Sequence, residues 1–133
     1  MKTTLKIFAG LAIICMISSC KKPAGEGGKS TIKGSLWAED WNTSFTVKNS
    51  EYAAYDEDVY IIYGDNVSYN DKTKTNYNGE FEFKYLRKGK YKIYVYSKDK
   101  SLTSPSGEVS IVKEVEITEK KGVKTMDQII IYK

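Results

Sequence analysis

Apolar and polar residues alternate over most of this chain, most cleanly in Asn76–Ser97, NYNGEFEFKYLRKGKYKIYVYS. A strand sends successive side chains to opposite faces. Phe81 and Phe83 therefore share one face, with Glu80, Glu82 and Lys84 on the other. Tyr91, Ile93 and Val95 share a face, with Lys92, Tyr94 and Tyr96 opposite. A helix would need apolar residues at i, i+3, i+4 and i+7, and neither run supplies them. The spacing predicts two strands, Glu80–Lys84 and Lys90–Tyr96, each preceded by a turn dipeptide, Asn78-Gly79 and Lys88-Gly89. Leu86, between them, is expected to plug the end of the core.

The same period recurs elsewhere. Thr31–Trp37 reads as a first strand with Ile32, Gly34 and Leu36 on one face. Ala38–Ser44 reads as a polar loop holding Trp41, Phe45–Val47 as a short edge strand, and Asn49–Glu57 as a loop with a helical turn at Glu51–Tyr55. Val59–Tyr63 is the next strand, with Val59, Ile61 and Tyr63 inward, and Gly64-Asp65-Asn66 is a turn. A strand broken near Asn70-Asp71 is expected within Val67–Tyr77. Glu108–Thr118 turns Val109, Ile111, Val115 and Ile117 to one face, and Lys113 interrupts that face, which predicts a bulge or a strand end there. A turn at Lys120-Lys121-Gly122 leads to a closing strand, Lys124–Tyr132, with Ile129 and Ile131 inward. Short strands between closely spaced turns define an all-β, antiparallel Greek-key β-sandwich of about seven strands.

Thr75–Gly79, Phe81, Phe83, Leu86, Gly89, Tyr91, Ile93 and Val95 together resemble the "T…NGxFxFxxLxxGxYxIxV" pattern of carboxypeptidase-regulatory-like domains, which belong with the transthyretin-like and Cna-B-like sandwiches. Asp58–Tyr63 resembles that family's earlier core strand, and Gly34 within Ile32–Trp37 fits its first strand. The resemblance implies a fold and carries no catalytic motif. Some Cna-B-type domains form a Lys–Asn isopeptide bond, and the closing MDQIIIYK here has no asparagine.

The N-terminus reads as an address. Lys2 and Lys6 form a positive n-region, and Leu5–Ile17 is an apolar stretch too short to act as a stop-transfer helix. It ends in Ile17-Ser18-Ser19-Cys20, which resembles the bacterial lipobox. That resemblance implies transfer of a diacylglyceryl group to the Cys20 thiol, with palmitate among the anchor's acyl chains, and then removal of residues 1–19 to leave Cys20 as the new N-terminus; the alternative is an ordinary signal peptide with a chance cysteine. Residues 20–30, with KKPAGEGGKS after the cysteine, read as a lipidated flexible tether, and 31–133 as the domain. Lys21 lacks the aspartate that resembles an inner-membrane retention signal, so the outer membrane is expected, with its facing open.

Charge and composition narrow the chemistry. The chain has a formal charge of +4, and removing residues 1–19 takes two lysines and no acid, leaving +2. That is too mild to argue for nucleic acid. Cys15 lies in the discarded segment and Cys20 is the acylation candidate, so no disulfide is expected. The chain has no histidine, which removes imidazole acid–base chemistry and His-ligated metal. No cofactor, metal or catalytic residue is expected.

Candidate contacts are aromatic. Tyr60, Ile62, Tyr94 and Tyr96 are expected on one outer sheet face, either as a contact surface for a protein or glycan or as cross-strand pairs that stiffen the sheet. Trp37 and Trp41, around Asp40, could form a carbohydrate platform or simply cap the core. Asp56, Glu57, Asp58 and Asp65 offer oxygen ligands in no cation-loop spacing. Glu80 and Glu82 read as solvated charges on one strand face. The composite expectation is a membrane-anchored, non-enzymatic cell-envelope lipoprotein that binds a partner or assists assembly. A carbohydrate-binding accessory lipoprotein is the alternative.

Overall fold

The computed structural model describes residues 21–133; the expected signal segment and the expected lipidation site Cys20 lie outside the described residues. Nine strands form two sheets packed face to face: β1 (Glu26–Trp41), β2 (Lys48–Ala53), β3 (Asp58–Tyr63), β4 (Asp71–Lys74), β5 (Glu80–Leu86), β6 (Gly89–Lys98), β7 (Glu108–Ile117), β8 (Lys121–Thr125) and β9 (Ile129–Tyr132). One sheet has the order β4-β3-β6-β7, antiparallel throughout. The other is built around the sixteen-residue β1. Its first half pairs with β5 (antiparallel) and β8 (parallel), and its second half with β2 (antiparallel) and β9 (parallel).

The alternation of the sequence fills the space between the sheets. Ile32, Leu36, Phe81, Phe83 and Leu86 from one sheet meet Val59, Ile61, Tyr91, Ile93 and Val95 from the other, all buried. Ile129 and Ile131 close the core from β9 as expected. Gly34 is required by packing, because a Cβ there would stand 2.5 Å from the Phe81 ring.

The sandwich is the expected one, and six details differ. Ala38–Trp41, expected within a polar loop, continues β1, because Ala38 is buried and the segment pairs with β2 and β9. The described residues form nine strands rather than about seven, because the closing strand is split at Met126–Gln128, and both of its halves run parallel to β1. The stretch Lys48–Ala53 is an edge strand, where a loop and a helical turn were expected; its side chains are mostly exposed, so no apolar period marked it. The expected Phe45–Val47 strand is part of the turn before β2, held by Asn42, whose side chain accepts from the Thr46 and Val47 amides. Within Val67–Tyr77 only Asp71–Lys74 is strand. Lys113 causes no break: β7 pairs with β6 residue by residue, with Lys113 opposite Ile93. β7 is the outer strand of its sheet, so the lysine stem lies over the rim and its ammonium reaches water. An inward charge on an edge strand also discourages pairing with another chain.

The tether expected over residues 20–30 is mostly folded. β1 begins at Glu26, and Gly25 and Ser30 are buried. Here packing depends on missing side chains. A Cβ on Gly28 would fall 2.0 Å from the Leu86 carbonyl oxygen, and one on Gly89 would fall 2.6 Å from Ala24 Cβ. The buried Tyr91 hydroxyl accepts from the Gly25 amide at 2.9 Å and donates to the Arg87 carbonyl at 2.6 Å. Arg87 Nε donates to the Pro23 carbonyl at 2.8 Å, and its amide to the Gly25 carbonyl. The chain is therefore fastened to the β5–β6 turn from Pro23 onward.

Candidate binding surfaces

The β3–β6 register sets Tyr60 directly opposite Tyr94. Both point away from the core, because Val59, Ile61, Ile93 and Val95 take the inward positions. The rings stack with centroids 4.8 Å apart at 10°. Tyr96 meets both edge-on at 5.8 Å, and Tyr69, from the β3–β4 loop, meets Tyr60 edge-on at 5.0 Å. That loop is pinned by the Asn70 side chain, which accepts from the Tyr63 amide, and by the Asn70 amide on the Ile61 carbonyl. Tyr60 and Tyr94 are half-buried, while Tyr96, Tyr69 and Val112 are about half exposed. Ile62 shares this outer face, opposite Lys92. The four expected residues thus stand together, with Tyr69 and Val112 added. Tyr69 was hidden from the sequence by its place in a loop.

The arrangement is both stiffened and accessible. The Tyr60–Tyr94 stack uses one face of each ring, as in a cross-strand pair. Burial and the neighbouring Tyr96 and Tyr60 raise the Tyr94 phenol above its ordinary range, so this hydroxyl keeps its proton near pH 7. Beside it a hollow of about 210 Å³ opens, lined by Tyr60, Tyr96, Val95, Asp56, Asp58 and Glu108. The Oδ1 of Asp58 is buried without a hydrogen-bond donor; Lys74 Nζ stands 3.8 Å away.

Trp37 and Trp41 do not form one platform. Both project from β1, but Trp37 sits in register between Ala53 and Ile130, whereas the bulge at Asp40/Trp41 turns Trp41 toward other rings. Trp41 lies 6.3 Å from Phe45, and Phe45 meets Tyr132 edge-on at 6.0 Å. Lys100 Nζ sits 4.3 Å over the Trp41 ring and 5.0 Å from Tyr132. The chain's own cation thus occupies this cage. Trp41 Nε1 donates to Glu39 at 3.0 Å.

A third group was not anticipated. Tyr55 and Tyr77 stack at 4.2 Å and 7°, and Tyr77 is 80% exposed. Their two loops are joined at the buried Thr75, whose hydroxyl donates to the Ala54 carbonyl and accepts from the Glu57 amide. The position of Tyr77, just before the Asn78-Gly79 turn, was the available signal.

The Asp56–Asp58 run is engaged with lysine. Lys74 pairs with Asp56 at 3.2 Å, and Lys133 pairs with Glu57. Asp65 lies on the β3–β4 turn at the other end of β3. Glu82 pairs with Lys84 at 3.0 Å and Lys33 at 3.8 Å, on the wall of an open groove of about 580 Å³ that also includes Glu80. Asp99 anchors the β6–β7 loop: its carboxylate accepts from the Ser101 hydroxyl and from the amides of Ser101, Thr103 and Ser104, which hold it well below the usual carboxylate range.

The fold is an all-β sandwich that carries aromatic clusters on its surface. No family model matches the chain, and no curated protein sequence does. Among solved structures it is similar to a "putative carbohydrate binding protein" from Pseudomonas aeruginosa, at 12% identity and a TM-score of 0.46, covering 83% of this chain and 92% of that one. A likeness of that size carries nothing about a ligand to this chain.

Proposed function

We propose that this protein is a non-enzymatic lipoprotein of the cell envelope, held on the outer membrane through acylated Cys20, that meets a partner with the tyrosine face of β3 and β6. The observation that carries the reading is the cluster of Tyr60, Tyr69, Tyr94 and Tyr96, rigid at its base and open at its rim. Preformed aromatic surface binds at low entropic cost, because few rotamers are lost. Assignment to the carboxypeptidase-regulatory-like or transthyretin-like sandwiches accompanies this reading. It is supported by the Thr75–Val95 pattern falling on the β4–β5 turn, β5, β6 and the turn between them, with Gly79 at φ 75°.

Replacing Tyr94 and Tyr96 together by serine is expected to abolish crosslinking of the protein to its partner in whole cells while circular dichroism stays that of a sheet protein. Undiminished crosslinking with the fold intact overturns the reading. A second reading, a glycan partner, is favoured by the hollow beside Tyr60 and Tyr96. There the ring faces suit sugar C–H groups, and Asp58 and Glu108 can accept from hydroxyls. Retention on a glycan array, lost in the same double variant, selects it over a protein partner.

The anchor has its own test. Two or three acyl chains, at about 0.8 kcal/mol per buried methylene, bind a bilayer firmly. Cys20→Ala is therefore expected to move the protein from the membrane pellet to the soluble fraction, with loss of the acyl mass. An unchanged pellet and mass overturn acylation.

A further inference from the structure

We infer that the end of the sandwich where the chain enters is a docking surface for anionic lipid, so that the domain sits directly on the membrane instead of at the end of a free tether. The register brings one set of turns to this end. Glu26 lies beside Leu86, Lys29 beside Lys121, and Gly89 opposite Ile117, while the Gly64 amide donates to the Lys90 carbonyl. The entering chain contributes Lys21, Lys22 and Lys29. Arg87, Lys88 and Lys90 add the β5–β6 turn, and Lys120 and Lys121 the β7–β8 turn. The acids at this end are Glu26, Asp65, Asp71, Glu116 and Glu119, five against eight basic residues.

Two further observations point the same way. Among the described residues, the lysines in salt bridges are Lys33, Lys48, Lys74, Lys84 and Lys133, none of them at the entry end. The entry-end lysines are all exposed. The far end carries a smaller opposite excess: Glu39, Asp40, Glu51, Asp56, Glu57, Asp58, Asp99 and Glu108 stand against Lys48, Lys74, Lys98, Lys100 and Lys133, eight acids to five cations, so charge is polarised along the strands. At the tip of the β3–β4 loop, beside the basic turns, Val67 is 100% exposed. A cationic surface with a projecting apolar residue suits the boundary between head groups and acyl chains.

The fastening of Pro23–Gly28 supplies the geometry. Only Lys21 and Lys22 separate Cys20 from Pro23, so the link spans at most about 11 Å of extended chain. That is close to the Debye length of about 8–10 Å at physiological salt, within which the attraction operates. The short link rests on the proposed acylation of Cys20; the affinity of the basic end for lipid does not.

The core lies wholly within the described residues, so a chain of residues 21–133 can be tested without the leader. It is expected to float with vesicles of phosphatidylcholine containing about a third phosphatidylglycerol, to ignore pure phosphatidylcholine, and to release at high salt. Each basic residue removed from the surface lowers partitioning about fivefold. Lys88→Ala with Lys120→Ala should therefore cost about 25-fold, while Lys33→Ala with Lys84→Ala, on the salt-bridged sheet face, costs little. Equal binding to neutral vesicles, equal loss in the two double variants, or retention by polyphosphate without vesicle binding overturns the inference. The Cys20→Ala fractionation reads acylation separately. Vesicle binding by the acyl-free domain stands even if acylation fails, and a confirmed anchor does not rescue a domain indifferent to charge.

Discussion

Gly79→Ala is expected to destabilise the domain far more than Gly64→Ala, although both glycines lie at positive φ, 75° and 57°. The left-handed conformation costs an L-residue roughly 1–2 kcal/mol at either position. The difference is what the new methyl meets. At Gly64 nothing lies within 4 Å, whereas at Gly79 the Leu36 carbonyl oxygen would be 2.4 Å away. Leu36 is the seam where β1 passes from β5 to β2: its amide donates to the Gly79 carbonyl at 2.8 Å, and its carbonyl accepts from the Ala54 amide at 3.1 Å. A methyl at Gly79 pushes on backbone that cannot yield without opening these bonds, each worth about 1 kcal/mol, more if a buried group is left unpaired. We expect Gly79→Ala to lose at least about 2 kcal/mol more than Gly64→Ala. Equal melting temperatures for the two variants contradict the close approach.

Ile93→Ala should be the most damaging of the core truncations. Ile93 is fully buried at the centre of its sheet, with Ile61 opposite on one side and Lys113 on the other. Truncating a buried isoleucine costs about 2–5 kcal/mol, toward the upper end where neighbours cannot collapse into the space. The position is bounded by strands on both edges and by the opposing sheet, which leaves little room to relax. For a domain of this size the loss corresponds to a fall of roughly 10–20 °C in Tm. Val112→Ala, on the outer face of β7, is the control and should move Tm little, since Val112 is half exposed. A drop no larger than the control's places Ile93 outside a packed core.

Legibility followed side chains. Phe81, Phe83, Tyr91, Ile93 and Val95 announce strands because aromatic and branched residues recur with period two, and the same parity turns Tyr60, Tyr94 and Tyr96 outward. β2 is silent because an exposed edge strand needs no apolar face. The first residues of β1 are silent for the opposite reason: Gly28 packs against Leu86 by having no side chain, which reads in sequence as a flexible linker. Lys113 misled because a charge at an inward position marks a break only in a central strand. Nearness in sequence also misled. Trp37 and Trp41 are four residues apart yet have different neighbours, while Tyr69 joins the outer cluster through a loop closure that only Asn70 could have signalled.

β1 also constrains how the molecule comes to exist. It leaves the ribosome before the eight other strands of the sandwich, yet two of its four partners, β8 and β9, follow all the rest. Contacts between chain ends so distant carry a high loop-closure cost and slow the search for the native pairing. Until the final strand arrives, the sheet keeps an open flank along Leu36–Glu39, so a chain cut short before Ile129 is left with a sticky edge in place of a finished wall.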